Sequence, residues 1–328
     1  MSTNQDKLSR RQALLAGAGA AMAPLLVNSL TTPAEAASPM LGADHPTHYR
    51  FKLGGFEITT IWDGAVQLKG PHPIFGQNVP EADVQALAQE NFLPPADFEI
   101  SFAPVIVNTG KELVLFDTGN GAGRRPNAGR TAATLAKAGY SPEQIDVVVL
   151  THFHPDHIGG MTEDGKPTFP NARYVTGEAE YNFWSPKEMA EGKLARVGKL
   201  VQANVVPFAD KMTFVKPDGA VASGITAVGA FGHTPGHMAY HFESEGRRLL
   251  LWADSTNHYV ASLQRPDWHV RFDMDKEAAA NTRKNILGMA VAEKIPCTGY
   301  HMPFPSVGYV DNRAGAYHWV PASYQLNL

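Results

Sequence analysis

A chain of 328 residues with 28 Lys and Arg against 32 Asp and Glu carries a formal net charge of −4. That balance excludes binding built on clustered cations, so no nucleic acid partner is expected. A single cysteine excludes an intramolecular disulfide. No Pro/Gly/Ser linker divides the chain into two compositional halves, so its length fits one large domain or two lobes of one fold.

The first element in chain order is a leader. Arg10 and Arg11 form a twin-arginine pair, the apolar stretch from Ala13 to Val27 follows, and Ala34-Glu35-Ala36 supplies small residues at a cleavage position. The stretch is interrupted by Pro24 and falls short of the roughly 20 residues that span a bilayer. Residues 1–36 therefore read as a cleaved Tat-type signal peptide with the Tat export machinery as its partner, 37–47 as a linker and 48–328 as a single domain. The mature chain is expected in the periplasm or outside the cell, without a stable membrane anchor.

Segments 56–62, 103–109 and 112–117 read as strands, with Asn108 to Lys111 turning a hairpin between the last two. A helix is expected at 130–138, and another at 275–293 capped by Asp273 or Asp275. The block 177–203 reads as amphipathic helix lying over the edge that carries the chemistry. Cys297 reads as a small buried hydrophobe.

Between these elements stands the apolar, β-branched run Val147-Val148-Val149-Leu150, a buried strand, and directly after it Thr151-His152-Phe153-His154-Pro155-Asp156-His157-Ile158-Gly159-Gly160. His152 and His154 are two apart, so in extended chain both rings point the same way and can share one metal ion. Pro155 holds His154 extended and bends the path, which turns Asp156 and His157 toward a second ion. Gly159 and Gly160 let the backbone pass close to the metals before a helix begins. A binuclear site needs further ligands at strand ends, and three follow: His233 after 225–228, Asp254 after 249–253, and His301 after 295–300. His237 and His241 read as structural.

The order His152, His154, Asp156, His157, His233, Asp254, His301 resembles the metallo-β-lactamase fold superfamily in its dinuclear hydrolase branch. The resemblance implies an α+β, αββα sandwich of two mixed sheets flanked by helices. It implies one metal on His152, His154 and His233, a second on Asp156, His157 and His301, and a bridge by Asp254. It also implies that Asp117, in Phe116-Asp117-Thr118-Gly119, stands behind the metal loop. Segments Phe56 to Gly64, Val107 to Gly110, Phe116 to Gly119, His301 to Pro305 and the tail around Val320 are similar to methyl parathion hydrolase and its periplasmic lactonase and arylesterase relatives. Trp184 matches a pocket aromatic of that group, while Arg124 and Arg125 depart from it, which makes Arg124 a candidate determinant of substrate choice. Trp252, Trp268, Phe102 and Phe153 are further aromatic residues near strand ends, where core positions predominate.

The expected chemistry is hydrolysis of a small-molecule ester, lactone or phosphotriester by a hydroxide bridging two divalent ions, with Asp254 and Asp156 as the catalytic acids. Zinc is the first choice of metal, and manganese, iron or cobalt also suit His and Asp. No Gly-x-Ser-x-Gly elbow points to a serine esterase. The alternatives are a β-lactamase or thioesterase of the same fold, an oxygen-using iron enzyme, or a metal-binding protein without turnover. Family resemblance also raises a homodimer.

Overall fold

The run Val147–Leu150 is apolar at every position because both of its faces are covered. In the computed structural model, which describes residues 38, 40–42, 44–322 and 324–328, it is a middle strand of a seven-stranded sheet. That sheet runs in the order β1 (His48–Leu53), β2 (Phe56–Ile61), β5 (Val105–Asn108), β6 (Leu113–Phe116), β7 (Val147–Leu150), β10 (Arg173–Gly177), β11 (Met212–Val215). Its first four strands are antiparallel neighbours, and β6, β7, β10 and β11 are parallel. A second seven-stranded sheet runs β12 (Ala220–Ala222), β13 (Ile225–Gly229), β14 (Met238–Ser244), β15 (Arg247–Leu251), β16 (Cys297–Thr298), β17 (Val307–Arg313), β18 (Ala316–Pro321), parallel only between β15 and β16. Short two-stranded pieces complete the sheets: β3 (Gly64–Lys69) with β4 (Asp97–Phe102), and β8 (Thr162–Glu163) with β9 (Lys166–Pro167).

The period of two along each strand sorts the side chains into layers. Val147 and Val149 join Phe51, Ile58 and Phe116 against Tyr240, Phe242 and Leu249 of the second sheet, forming the core between the sheets. Val148 and Leu150 face the other way and pack with Leu135 of α2 (Thr131–Lys137), Trp184 of α4 (Glu178–Trp184) and Val201 of α5 (Ala195–Asn204). On the far side, α7 (Lys276–Glu293) lays Ile286, Leu287 and Ala290 on Leu250 and Trp252. The layering is the expected αββα sandwich, with both sheets mixed.

Asp275 caps α7 by accepting from Ala278 N at 3.0 Å. The block 177–203 is not one helix: α4 ends at Trp184, two 3₁₀ turns intervene, and α5 begins at Ala195. It packs on the outer face of the first sheet rather than over the site edge. A fourth apolar cluster joins Phe98 and Ile100 of β4, Val84 and Leu87 of α1 (Glu81–Glu90), and Val260 and Ala261 beside α6 (Ala261–Gln264). Sequence reasoning passed over all of these elements.

The unit that carries these sheets runs His45–Leu328. The twin-arginine pair and the Ala36 cleavage position lie outside the described residues. Among the described residues no helix is long and apolar enough to cross a membrane. Cys297 is fully buried in β16, and burial pushes its thiol above the ordinary range. Native protein is therefore expected to resist iodoacetamide at pH 8 and to take up one label per chain once denatured, as read by intact mass. Rapid labelling of the native state would contradict this placement.

Candidate metal centre

The loop after β7 keeps His154 extended, with φ −67° and ψ 152°, and Pro155 then opens the short helix α3 (Pro155–Ile158). Asp156 and His157 thus ride on a helical turn. The helix precedes the two glycines rather than following them. A Cβ on Gly159 would lie 2.2 Å from the Asn120 carbonyl oxygen, and one on Gly160 2.1 Å from that of Thr118. These glycines admit the neighbouring 118–120 backbone, a different close approach from the expected one toward metals.

The loops after β7, β13, β15 and β16 leave the sandwich at one edge, and there the seven residues meet. Ligand-type atoms of His152, His154, His233 and Asp254 lie within 4.8 Å of one another, as do those of Asp156, His157 and His301. Asp254 stands between the groups. Its Oδ1 is 3.3 Å from His157 Nε2, and its Oδ2 is 3.1 Å from His301 Nε2, 3.2 Å from His233 Nε2 and 3.9 Å from His152 Nε2. Asp156 Oδ2 is 3.5 Å from His157 Nε2 and 3.6 Å from His301 Nε2.

This donor set fits divalent cations. His152 Nε2, His157 Nε2 and Asp254 Oδ1 are buried without a hydrogen-bond partner, an arrangement that costs about 1–3 kcal/mol per group unless something else satisfies it. His154 Nδ1 and His233 Nε2 face each other at 2.9 Å, where at most one proton fits between two lone pairs. Charge points the same way. Burial opposes ionisation of Asp254, yet His301, His157 and His233 outweigh it and hold the carboxyl well below the usual range. Burial, then His233, holds His154 down to about 3.

The groups behind the ligands fix which nitrogen of each ring turns inward. His157 Nδ1–H donates to Asp117 Oδ2 at 2.8 Å, and Asp117 also accepts from Thr151 N and Oγ1, with its own φ at +62°. His301 Nδ1–H donates to the Ser101 carbonyl at 2.7 Å. His233 Nδ1–H donates to Asp273 Oδ1 at 2.8 Å, and Arg283, fully buried on α7, donates to Asp273 Oδ2 at 2.8 Å. His237 donates to the Ala230 carbonyl and accepts from Asp254 N at 3.1 Å, so this buried histidine seats the central aspartate. Glu180 ties two ligand loops together. It accepts from Phe153 N on one and from Thr234 Oγ1 and Gly236 N on the other, and also from Trp184 Nε1.

Sequence reasoning weighed Asp273 only as a helix cap and passed over Glu180. Their one sequence signal, an acid near a helix start, is shared with ordinary surface residues.

A cavity of about 590 Å³ opens on the second ligand group through His301 and Ser101, with Leu87, Phe98, Trp268 and Phe304 among its walls. Trp184 is not among them: it is fully buried in the layer between the first sheet and its helices. Its expected role as a pocket aromatic is corrected accordingly, because a tryptophan whose N–H is spent on a buried carboxylate belongs to the core. Arg124 lies exposed in the 3₁₀ turn Ala122–Arg124 and does not line the cavity either. Trp252 and Phe153 are core, and of the aromatic candidates Trp268 lines the cavity.

Replacing Asp273 by Asn removes the anion that orients His233 while keeping its shape. Metal affinity, measured by competition with a chromophoric chelator, is expected to fall by about 10–100-fold. Unchanged affinity would show that Asp273 serves Arg283 alone.

The model of the metallo-beta-lactamase superfamily matches residues 97–297. An N-acyl homoserine lactonase of Bacillus cereus is 24% identical over 165 residues, covering 50% of this chain and 59% of that protein. A probable metallo-hydrolase of Mycobacterium bovis is 31% identical over 180 residues, covering 47% and 56%. The chain thus spans a little over half the length of these curated relatives. Two solved structures align over much more. AidC, a dizinc quorum-quenching lactonase in complex with the product N-hexanoyl-L-homoserine, superposes with a TM-score of 0.77 at 26% identity, covering 85% of this chain and 98% of that one. The hydrolase AbOPH, of the beta lactamase superfamily, does so with a TM-score of 0.77 at 27% identity, covering 86% and 100%. With its sandwich, its ligand-bearing edge and the family match agreeing, the chain belongs to the metallo-beta-lactamase superfamily.

Proposed function

We propose that this protein hydrolyses small-molecule lactones and esters with two divalent ions, zinc foremost, held on the two ligand groups. The observation that carries the reading is the double position of His301, which belongs to the second ligand group and to the wall of the large apolar cavity. A substrate whose apolar arm fills that cavity has its reacting carbonyl at the ligands. The lactonase likeness at 26% identity over 85% of the chain supports the lactone among ester classes.

Divalent ions, which the two ligand groups would hold, would supply Lewis acidity for the carbonyl oxygen and would lower the pKa of a water toward about 7. The protein's own groups do the rest. Asp117, Asp273 and the Ser101 carbonyl hold three imidazoles with their lone pairs inward. Asp254, ionised and central, accepts the proton of the attacking water at a carboxylate oxygen. When the carbon–oxygen bond breaks, that proton passes to the leaving alkoxide. The Asp156 side chain is 21% exposed against 4% for Asp254, and so offers the route by which protons exchange with solvent. Apolar walls exclude water from the arm and position the carbonyl.

Purified protein is expected to hold about two divalent ions per chain and to open alkyl lactones in a panel that also holds aryl esters, phosphotriesters and β-lactams. Prolonged chelation should abolish turnover, and Asp254→Ala should remove most of it while the protein stays folded by circular dichroism. A metal content of one or none, or full activity in Asp254→Ala, would refute the binuclear reading. The leader supports export of this hydrolase to the periplasm. Exchange of Arg10 and Arg11 for lysine should leave the protein in the cytoplasmic fraction, and unaltered secretion would exclude the twin-arginine route.

A further inference from the structure

We infer that His258 is a hydrogen-bond donor built into the wall of the apolar cavity, and that the substrate arm received there carries an oxygen acceptor rather than unbroken hydrocarbon. The inference rests on the hydrolase reading and names the substrate class for the same site.

The imidazole is oriented by its backbone. Its Nδ1 accepts from Val260 N and from Ala261 N, each at 3.0 Å, so the lone pair of that nitrogen is spent and the ring proton resides on Nε2. The ring lies 5.3 Å from Phe75 and 5.4 Å from Phe98 between centroids, and it stacks on Tyr259 at 5.0 Å and 25°. Turning it over would strip two backbone donors of their acceptor. Burial holds the ring's pKa down to about 4, so at neutral pH it is an uncharged donor.

His258 lines the cavity and is 9% exposed. No side chain or carbonyl among the described residues accepts from its Nε2–H. Of the other polar groups on the wall, the Tyr259 hydroxyl and the indole N–H groups of Trp62 and Trp268 make no hydrogen bond among the described residues, but unlike the His258 ring none of them is held in place by two backbone donors, and four more are engaged. Gln67 donates to Glu99, Asp97 pairs with Lys69, Ser101 Oγ donates to the Met302 carbonyl, and the Tyr49 hydroxyl donates to the Gln325 carbonyl. A donor left over in a hydrocarbon-walled pocket penalises a purely apolar occupant, because the occupant displaces water from Nε2–H without replacing its hydrogen bond. A carbonyl, ether or hydroxyl oxygen at that depth restores it. An amine, which at neutral pH brings only donors and a charge, does not.

Two alkyl lactones of equal arm length, one unbroken and one carrying an oxo group, test the assignment on the metal-loaded enzyme and on His258→Asn. Asparagine keeps an acceptor for the Val260 and Ala261 N–H groups, but its amide does not reach where Nε2 stands. The native enzyme is expected to prefer the oxo lactone by about tenfold in kcat/KM, and the ratio to fall to about one in the variant. A native ratio near one, or the same ratio in both proteins, overturns the inference. Should the variant unfold, the oxo group is walked along the arm with the native enzyme: one preferred position supports a fixed donor, and a flat series overturns it. If the native enzyme opens neither lactone, the hydrolase reading fails separately. Quenching of tryptophan fluorescence by the two intact lactones then decides His258, with tighter binding of the oxo compound in the native protein alone supporting it and equal binding overturning it.

Discussion

Asp254 is the group on which the rest of the centre depends. A carboxylate that is 3% exposed does not stay ionised by itself; positive charge on the His301, His157 and His233 rings beside its two oxygens holds it so, and a divalent cation bound on their inward lone pairs would supply the same charge. Those imidazoles belong to three different loops. One carboxylate therefore decides how the ends of both sheets come together. Its position is held from behind, where His237 accepts from its backbone N–H, and from the side, where Asn257 Nδ2 donates to Oδ2 at 3.0 Å. The residue before it, Ala253, takes a φ of +46°, a conformation that costs a non-glycine residue about 1–3 kcal/mol and persists where the surroundings overdetermine it.

The same economy explains the second layer. Carboxylates placed behind ligands are costly to bury, and each one here has a compensating partner. Asp117 has Thr151 and His157, and Asp273 has Arg283 and His233. Burial pushes the Glu180 carboxyl up, against its donors Thr234, Phe153 and Gly236. The Asp273–Arg283 pair is fully desolvated on both sides, so losing either member leaves a buried charge, which costs far more than an exposed pair of the same geometry. Such a network rigidifies the ligand loops because no member can move without leaving another unsatisfied.

How much of this was legible follows from the range of the interactions. The His152 to His157 spacing, the buried strand before it and the later ligands at strand ends are local patterns, and the sandwich follows from them together with the family resemblance. The Asn108 to Lys111 hairpin and the helix capped at Asp275 are local too. Trp184 and Trp268 show where locality ends, since both are tryptophans near element boundaries and only the partner of the indole and the course of the chain separate core from cavity. Asp273 and Asp275 differ by two positions, and the choice between cap and His233 partner is made by α7 docking on the second sheet. The β4 segment Asp97–Phe102 did carry a readable alternation of Phe98, Ile100 and Phe102, and α1 a readable spacing of Val84, Leu87 and Ala88. What sequence did not disclose is that these two elements enclose the cavity.

That enclosure separates reactivity from selection. The ligands sit on loops that the two sheets fix, whereas the cavity walls come from α1, the β3–β4 pair and the segment around α6, which form a hydrophobic cluster of their own. Within that cluster Tyr300 lies against the His157 ring at 4.0 Å between centroids and Phe102 against His301 at 5.6 Å, whereas Leu87 and Trp268 line the cavity without a ring contact to a ligand. The two regions are joined through His301, whose Nδ1 is held by a carbonyl of β4 while its Nε2 faces Asp254. A shift of β4 is therefore felt at His301 through Ser101, and the strand that shapes the pocket also limits how far the pocket can be reshaped.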